Sequence, residues 1–333
     1  MKIVPVASLV LSVAFAAAAL AAAPSYKLVD RIKVGDGGFD YATFDRATGR
    51  VLLARTNYTT VIDAKTGKVS ELMSASSGHM ALPVPGTTLL VLPQGKGMIR
   101  IVDGATDKVV ADLPGGMNPD GAAYDPFSKL VVVANHNSGD VTLVDPVAKK
   151  VVATIPVGGV LEFPASDSAG KVYVNIEDIN EIAVIDVATR KVTTHYKLAG
   201  CMAPTGLAYA PDAKVLISSC GQNGVAKVLR ADTGAEVASL PIAMGADAVM
   251  YDAARKVALI PCRAGELEVI SLADPAHIAV VQKVPTQVGS RTGTFDPDTG
   301  RVYSMAAKFG PPATAGGRAQ ALPGTFDVLV VAP

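Results

Sequence analysis

VIDAKTGKV (Val61–Val69) decides the fold, because it returns. IVDGATDKV (Ile101–Val109), LVDPVAKKV (Leu143–Val151) and VIDVATRKV (Val184–Val192) repeat it, and VLRADTGAEV (Val228–Val237) and VISLADPAHI (Val269–Ile278) keep its outline. Each copy is a short apolar strand, a polar turn and the start of another strand. Their third positions, Asp63, Asp103, Asp145, Asp186, Arg230 and Ser271, lie 40, 42, 41, 44 and 41 residues apart. A period of this length marks a repeat architecture.

Working outward from one copy gives the unit. Asp120–Tyr124, Leu130–Ala134, Val141–Val144 and Val151–Ile155 are four short β-branched or small-residue runs. Between them stand Asp-Pro-Phe-Ser, an Asn-Gly turn and the Asp145–Lys149 turn. Such punctuation is the grammar of strands and tight turns, and no long stretch has a helical apolar period. Four antiparallel strands per forty-odd residues describe one propeller blade. Segments leading into the first strand of each unit begin near Asp40, His79, Asp120, Glu162, Thr205, Asp247 and Arg291, which makes seven blades.

The seventh unit is irregular. TFDPDTGRVY (Thr294–Tyr303) mirrors TFDRATGRVL (Thr43–Leu52), but a Pro/Gly/Ala-rich insertion follows over 308–325 and one strand remains, Asp327–Val331. Blade seven is therefore one strand short. Tyr26–Val34 has the character of the other outer strands and is expected to supply it, closing the ring and removing an open edge. The fold class is all-β, a seven-bladed propeller occupying 24–333 as one domain.

Residues 1–21 read as a signal peptide: Met-Lys, an apolar run, and small residues at Ala19 and Ala21. Export to the periplasm or medium is the expectation. After cleavage no segment is long and apolar enough for membrane insertion. Without Lys2 the chain has 29 basic (30 − 1) and 30 acidic residues, in no blocks. This balance argues against nucleic acid, and a monomer is expected.

The repeats resemble those of YVTN-type seven-bladed propellers, and the exported layout is similar to YncE-like periplasmic proteins. The resemblance rests on the IDxxTxKV turns and on NPDGAAYDPFSKLVVVAN (Asn118–Asn135) and APTGLAYAPDAKVLISS (Ala203–Ser219), and covers the mature chain. It implies the fold and supplies no catalytic set, because propellers host unrelated functions.

Candidate function lies on one face. Loops entering the innermost strands surround the channel mouth with Asp40, His79, Asp120, Glu162, Thr205, Asp247 and Arg291. Loops joining second and third strands add Asn135, His136, Glu177 and Arg263. Asp40, Asp120, Glu162 and Asp247 could hold Ca²⁺ or Mg²⁺; equally, they could cap loop N–H groups. The turn aspartates face the other way and read as structural. Cys201 and Cys220 bracket one hairpin and are a disulfide candidate, leaving Cys262 over. A soft-metal cluster of these cysteines with Met202 lacks any paired-ligand spacing.

The leading expectation is a non-enzymatic binding or protein-interaction scaffold, taking a protein partner or small ligand on the mouth face. A divalent-metal-dependent lactonase or lyase is the alternative, and a redox accessory to a periplasmic dehydrogenase is a third. No nucleophile elbow or phosphate loop is present.

Overall fold

The computed structural model describes residues 25–75, 78–312 and 321–333. The signal-peptide segment and 313–320 of the insertion lie outside the described residues. The chain forms seven four-stranded antiparallel sheets arranged as blades. Blade one comprises β2 (Phe39–Asp45), β3 (Arg50–Arg55), β4 (Thr59–Asp63) and β5 (Val69–Leu72). Its order recurs through blade six, each inner strand leading outward by hairpins. No helix among the described residues is long and apolar enough to cross a membrane.

Closure follows the expectation from the sequence. Blade seven runs β26 (Gly293–Phe295), β27 (Val302–Ala306), β28 (Asp327–Ala332), and then β1 (Lys27–Lys33) as its outer strand. β1 pairs antiparallel with β28, from Lys27 opposite Ala332 to Lys33 opposite Asp327. Arg55 strengthens this seam. It is buried, donates to the carbonyls of Gly35 and Gly38, and lies 4.3 Å over the Phe326 ring.

The core is a set of seven layers, one between each pair of neighbouring blades. Leu52, Leu90 and Leu92 fill the layer between blades one and two; Val132, Val174 and Ile185 fill that between three and four. Second and third strands are sandwiched on both sides, which is why their sequences are continuous β-branched runs rather than alternating ones. β11 (Leu130–Asn135) is buried at every residue after the first. Outer strands meet solvent, and β17 (Lys191–Lys197) is accordingly mostly exposed. Each Val or Leu fully buried this way contributes about 1.5–3 kcal/mol.

Inner strands crowd towards the axis, so small residues are required there. A Cβ placed on Gly206 in β18 (Pro204–Ala210) would sit 2.5 Å from the backbone carbon of Ala248 in the neighbouring blade. The crowding brings the strand-leading loops of all blades close enough to interact across one mouth.

Candidate functional site

Backbone bonds between successive loops place the mouth residues. Tyr41 N–H donates to the His79 carbonyl, and His79 N–H to that of Pro93. His136 N–H donates to the Asn118 carbonyl, and Leu161 N–H to that of His136. The first blade's loop is thus fixed to the second's and the fourth's to the third's, and their side chains converge.

In blades one to four they form a continuous chain of imidazoles and carboxylates. His79 Nδ1 lies 2.7 Å from Asp40 Oδ2 and 3.3 Å from Asp120 Oδ1. His136 Nδ1 lies 3.2 Å from Glu162 Oε1 and 3.9 Å from Asp120 Oδ2. The Leu161 carbonyl is 3.0 Å from the same His136 nitrogen. Tyr41, buried below, donates its hydroxyl to Glu162 Oε2 at 3.2 Å.

Electrostatics follow from burial and crowding. The hydrogen bond to Asp40 raises His79 to about 9 against the opposing effect of desolvation. The bond to Glu162 does the same for His136, also to about 9. Burial, then the charge of Asp40, pushes Asp120 up to about 8 although both imidazoles pull it down. The cluster therefore holds protons at neutral pH that a cation could replace.

Blades five to seven are different. Arg291 Nε donates to Asp247 Oδ2 at 2.8 Å, and Thr205 Oγ1 to the Ala246 carbonyl at 2.8 Å. Burial raises Asp247 while Arg291 holds it down. Beside them opens a cavity of about 510 Å³ lined by Glu177, Thr205, Gln222, Met244, Arg263 and Arg291, among others. Burial, then Glu162, raises Glu177, so the cavity and the histidine cluster share one field. A separate cavity of about 360 Å³ lies further down the axis, with Tyr41 and Phe163 in its wall. Their rings meet edge to face at 5.2 Å.

Most of the candidate residues thus reach one mouth, but Asn135 does not. It is fully buried in blade three, where its amide nitrogen bonds Asp140 at 2.6 Å and Thr142 at 2.9 Å. As the last residue of β11 its side chain turns into the blade rather than the channel. Cys201 and Cys220 form a disulfide with Cα atoms 5.4 Å apart. Cys262 is a buried free thiol held protonated chiefly by desolvation. None of these sulfurs offers an accessible thiolate. The turn aspartates cap their own turns: Asp103 accepts from Ala105 and Thr106 N–H, and Asp145 from Val147 and Ala148 N–H.

Sequence reading missed Tyr41 and Asn118. Asn118 stands just before β10 (Pro119–Asp125) with a left-handed backbone, φ 56°, and bonds the His79 ring. It also missed an apolar rim. Met73, Met117, Met202, Met244 and Val288 are exposed in five of the seven loops that cross from one blade to the next.

No family model matches the chain. A dihydro-heme d1 dehydrogenase of Pseudomonas aeruginosa is 26% identical over 168 residues, which are 47% of this chain and 34% of that protein. The chain thus spans about one third of that relative's length. Among solved structures, a chain of the mitotic checkpoint complex superposes with a TM-score of 0.75 at 13% identity, over 99% of both chains. A chain of Kuenenia stuttgartiensis hydrazine synthase does so with 0.72 at 16% identity, over 87% of this chain and 97% of that one. At these identities the likeness shows the propeller fold.

Proposed function

We propose that this protein is an exported, non-enzymatic binding protein that takes a small anionic ligand at the mouth of its channel. The cavity of about 510 Å³ carries this reading, because its polar lining is convergent and mixed. Arg263 and Arg291 suit a carboxylate or phosphate, Thr205 and Gln222 offer orientation, and Met244 gives an apolar lip. Arg291 is paired with Asp247, and Arg263 stands on another loop of the same lining, so the two guanidiniums would share the anion.

Calorimetry with a panel of small carboxylates, phosphates and haem tests it. Haem enters the panel because of the relative's name; the thioether of Met244 is the donor its iron would meet at the cavity wall. Arg263→Ala should weaken any hit at least tenfold. Failure of the whole panel, or equal binding by the variant, would remove the reading.

The apolar rim favours a second reading, a protein partner capping the same face. Methionine side chains adapt to varied surfaces. A Met117→Ser, Met202→Ser double variant, which leaves the cavity lining intact, should then lose a partner co-purified from the cell envelope while still binding small ligands. Redox assistance through cysteines lacks a reactive thiol in this geometry.

A further inference from the structure

The geometry points to a binuclear centre for first-row divalent metal ions at the mouth, with the Asp120 carboxylate bridging the two ions. Two sets of donors, Asp40–His79–Asp120 and Asp120–His136–Glu162, each bring one atom per residue within 4.8 Å of the others. They share Asp120, and its two oxygens are already divided. Oδ1 faces His79 and Oδ2 faces His136. Two metal ions about 3.5–4 Å apart are commonly joined in this way.

Each position would receive two carboxylates and one imidazole. Imidazole suits Zn²⁺, Fe²⁺ and their neighbours, and carboxylate suits Mn²⁺. Ca²⁺ and Mg²⁺ prefer all-oxygen sites, so the histidines shift the expected ion away from these two. The Leu161 carbonyl stands by as a further oxygen for the second position.

The surroundings supply an independent argument. Ligating histidines characteristically have their second nitrogen fixed by an outer partner, and ligating carboxylates are themselves hydrogen-bonded. His79 has both nitrogens engaged: Nδ1 faces the carboxylates, and the ring also bonds the Asn118 side chain. Nε2 and Asn118 Oδ1 close over Gly95, where an added Cβ would meet them at 3.0 and 2.9 Å. Glu162 directs Oε1 to the cluster and receives the Tyr41 hydroxyl on Oε2. Such outer bonds hold Nδ1 of His79 and Oε1 of Glu162 toward a common centre. The five side chains remain 10–31% accessible, so ions can enter from the mouth.

Purified mature protein, stripped with chelator and dialysed against Zn²⁺ or Mn²⁺ alone, should take up two ions per chain by elemental mass spectrometry. Asp40→Ala and Glu162→Ala should each reduce this to one. Asp120→Asn, which keeps the side chain's shape, should weaken both positions at least a hundredfold. Asn118→Ala should weaken the His79 position about 10–100-fold. Circular dichroism of each metal-free variant confirms the fold. The Mn²⁺-loaded protein should show an exchange-coupled electron paramagnetic resonance spectrum. No uptake, a single ion, uptake indifferent to Asp40→Ala, Ca²⁺ bound as tightly as Zn²⁺, or an uncoupled spectrum at two equivalents would overturn the proposal.

Discussion

The two faces of the propeller use the same residue types to opposite ends. On the face away from the mouth, aspartates recur at equivalent positions with equivalent bonds. Asp45, Asp125 and Asp252 each end an inner strand and Asp296 directly follows one; all four are buried and accept from groups two or three residues on. On the mouth face, equivalent positions carry Asp40, His79, Asp120, Glu162, Thr205, Asp247 and Arg291, with different partners in each blade. Where the repeat keeps a residue, a backbone group needs it. Where the repeat lets it vary, the group is released for chemistry.

The disulfide is the mouth-face feature with a structural role, and it gives the largest expected effect. It fastens the loop before β18 to the end of β19 (Val215–Cys220), closing a sequence separation of 19 residues. Loop-closure entropy makes such a bridge worth about 3 kcal/mol. Cys201→Ser should lower the thermal midpoint accordingly, and an unchanged midpoint would mean that blade five is held by packing alone.

Next comes a direct contrast between faces. Asp125 accepts from Ser128 N–H at 3.0 Å, from Ser128 Oγ at 2.6 Å and, across to blade four, from Ser166 Oγ at 2.7 Å. Hydrogen bonds to a buried charge contribute about 1.5–3 kcal/mol, so Asp125→Ala should cost about 2 kcal/mol in denaturant unfolding. Asp120→Asn should cost nothing in metal-free protein and even raise stability, because it removes one of three crowded carboxylates. Reversal of this order would break the distinction between kept and varied positions.

How much of this was legible in sequence follows the same division. Blade number, strand order and closure by Tyr26–Val34 were readable because backbone pairing and interblade packing repeat every forty-odd residues. The mouth ring was readable as a set of positions, since the repeat fixes where each inner strand begins. Its connectivity was not. Whether His136 meets Glu162 or solvent depends on a loop-to-loop bond spanning 25 residues, which no local pattern encodes. Asn135 was misplaced because a turn residue and a strand's last residue look alike in sequence, and here one more ladder position turns it inward.

The smallest effect concerns pH and separates the two halves of the mouth. His79 and His136 sit near 9 against an ordinary 6.5. A group raised by folding contributes stability that is fully present below its unfolded value and lost as pH rises through its folded one. Asp120, raised from 3.8 to about 8, acts in the same direction, because folding favours its protonated form. Metal-free protein should therefore begin to lose thermal stability above about pH 4 through Asp120, and lose it most steeply from about pH 6.5 to 9, where the histidines join. A His79→Gln, His136→Gln variant should show a flatter profile over that window. Arg291→Gln, which releases the buried Asp247 from the charge that holds it down, should lower the curve and steepen it rather than flatten it. If the histidine variant keeps the wild-type slope, the titration belongs elsewhere in the molecule and the cluster in blades one to four is electrostatically silent.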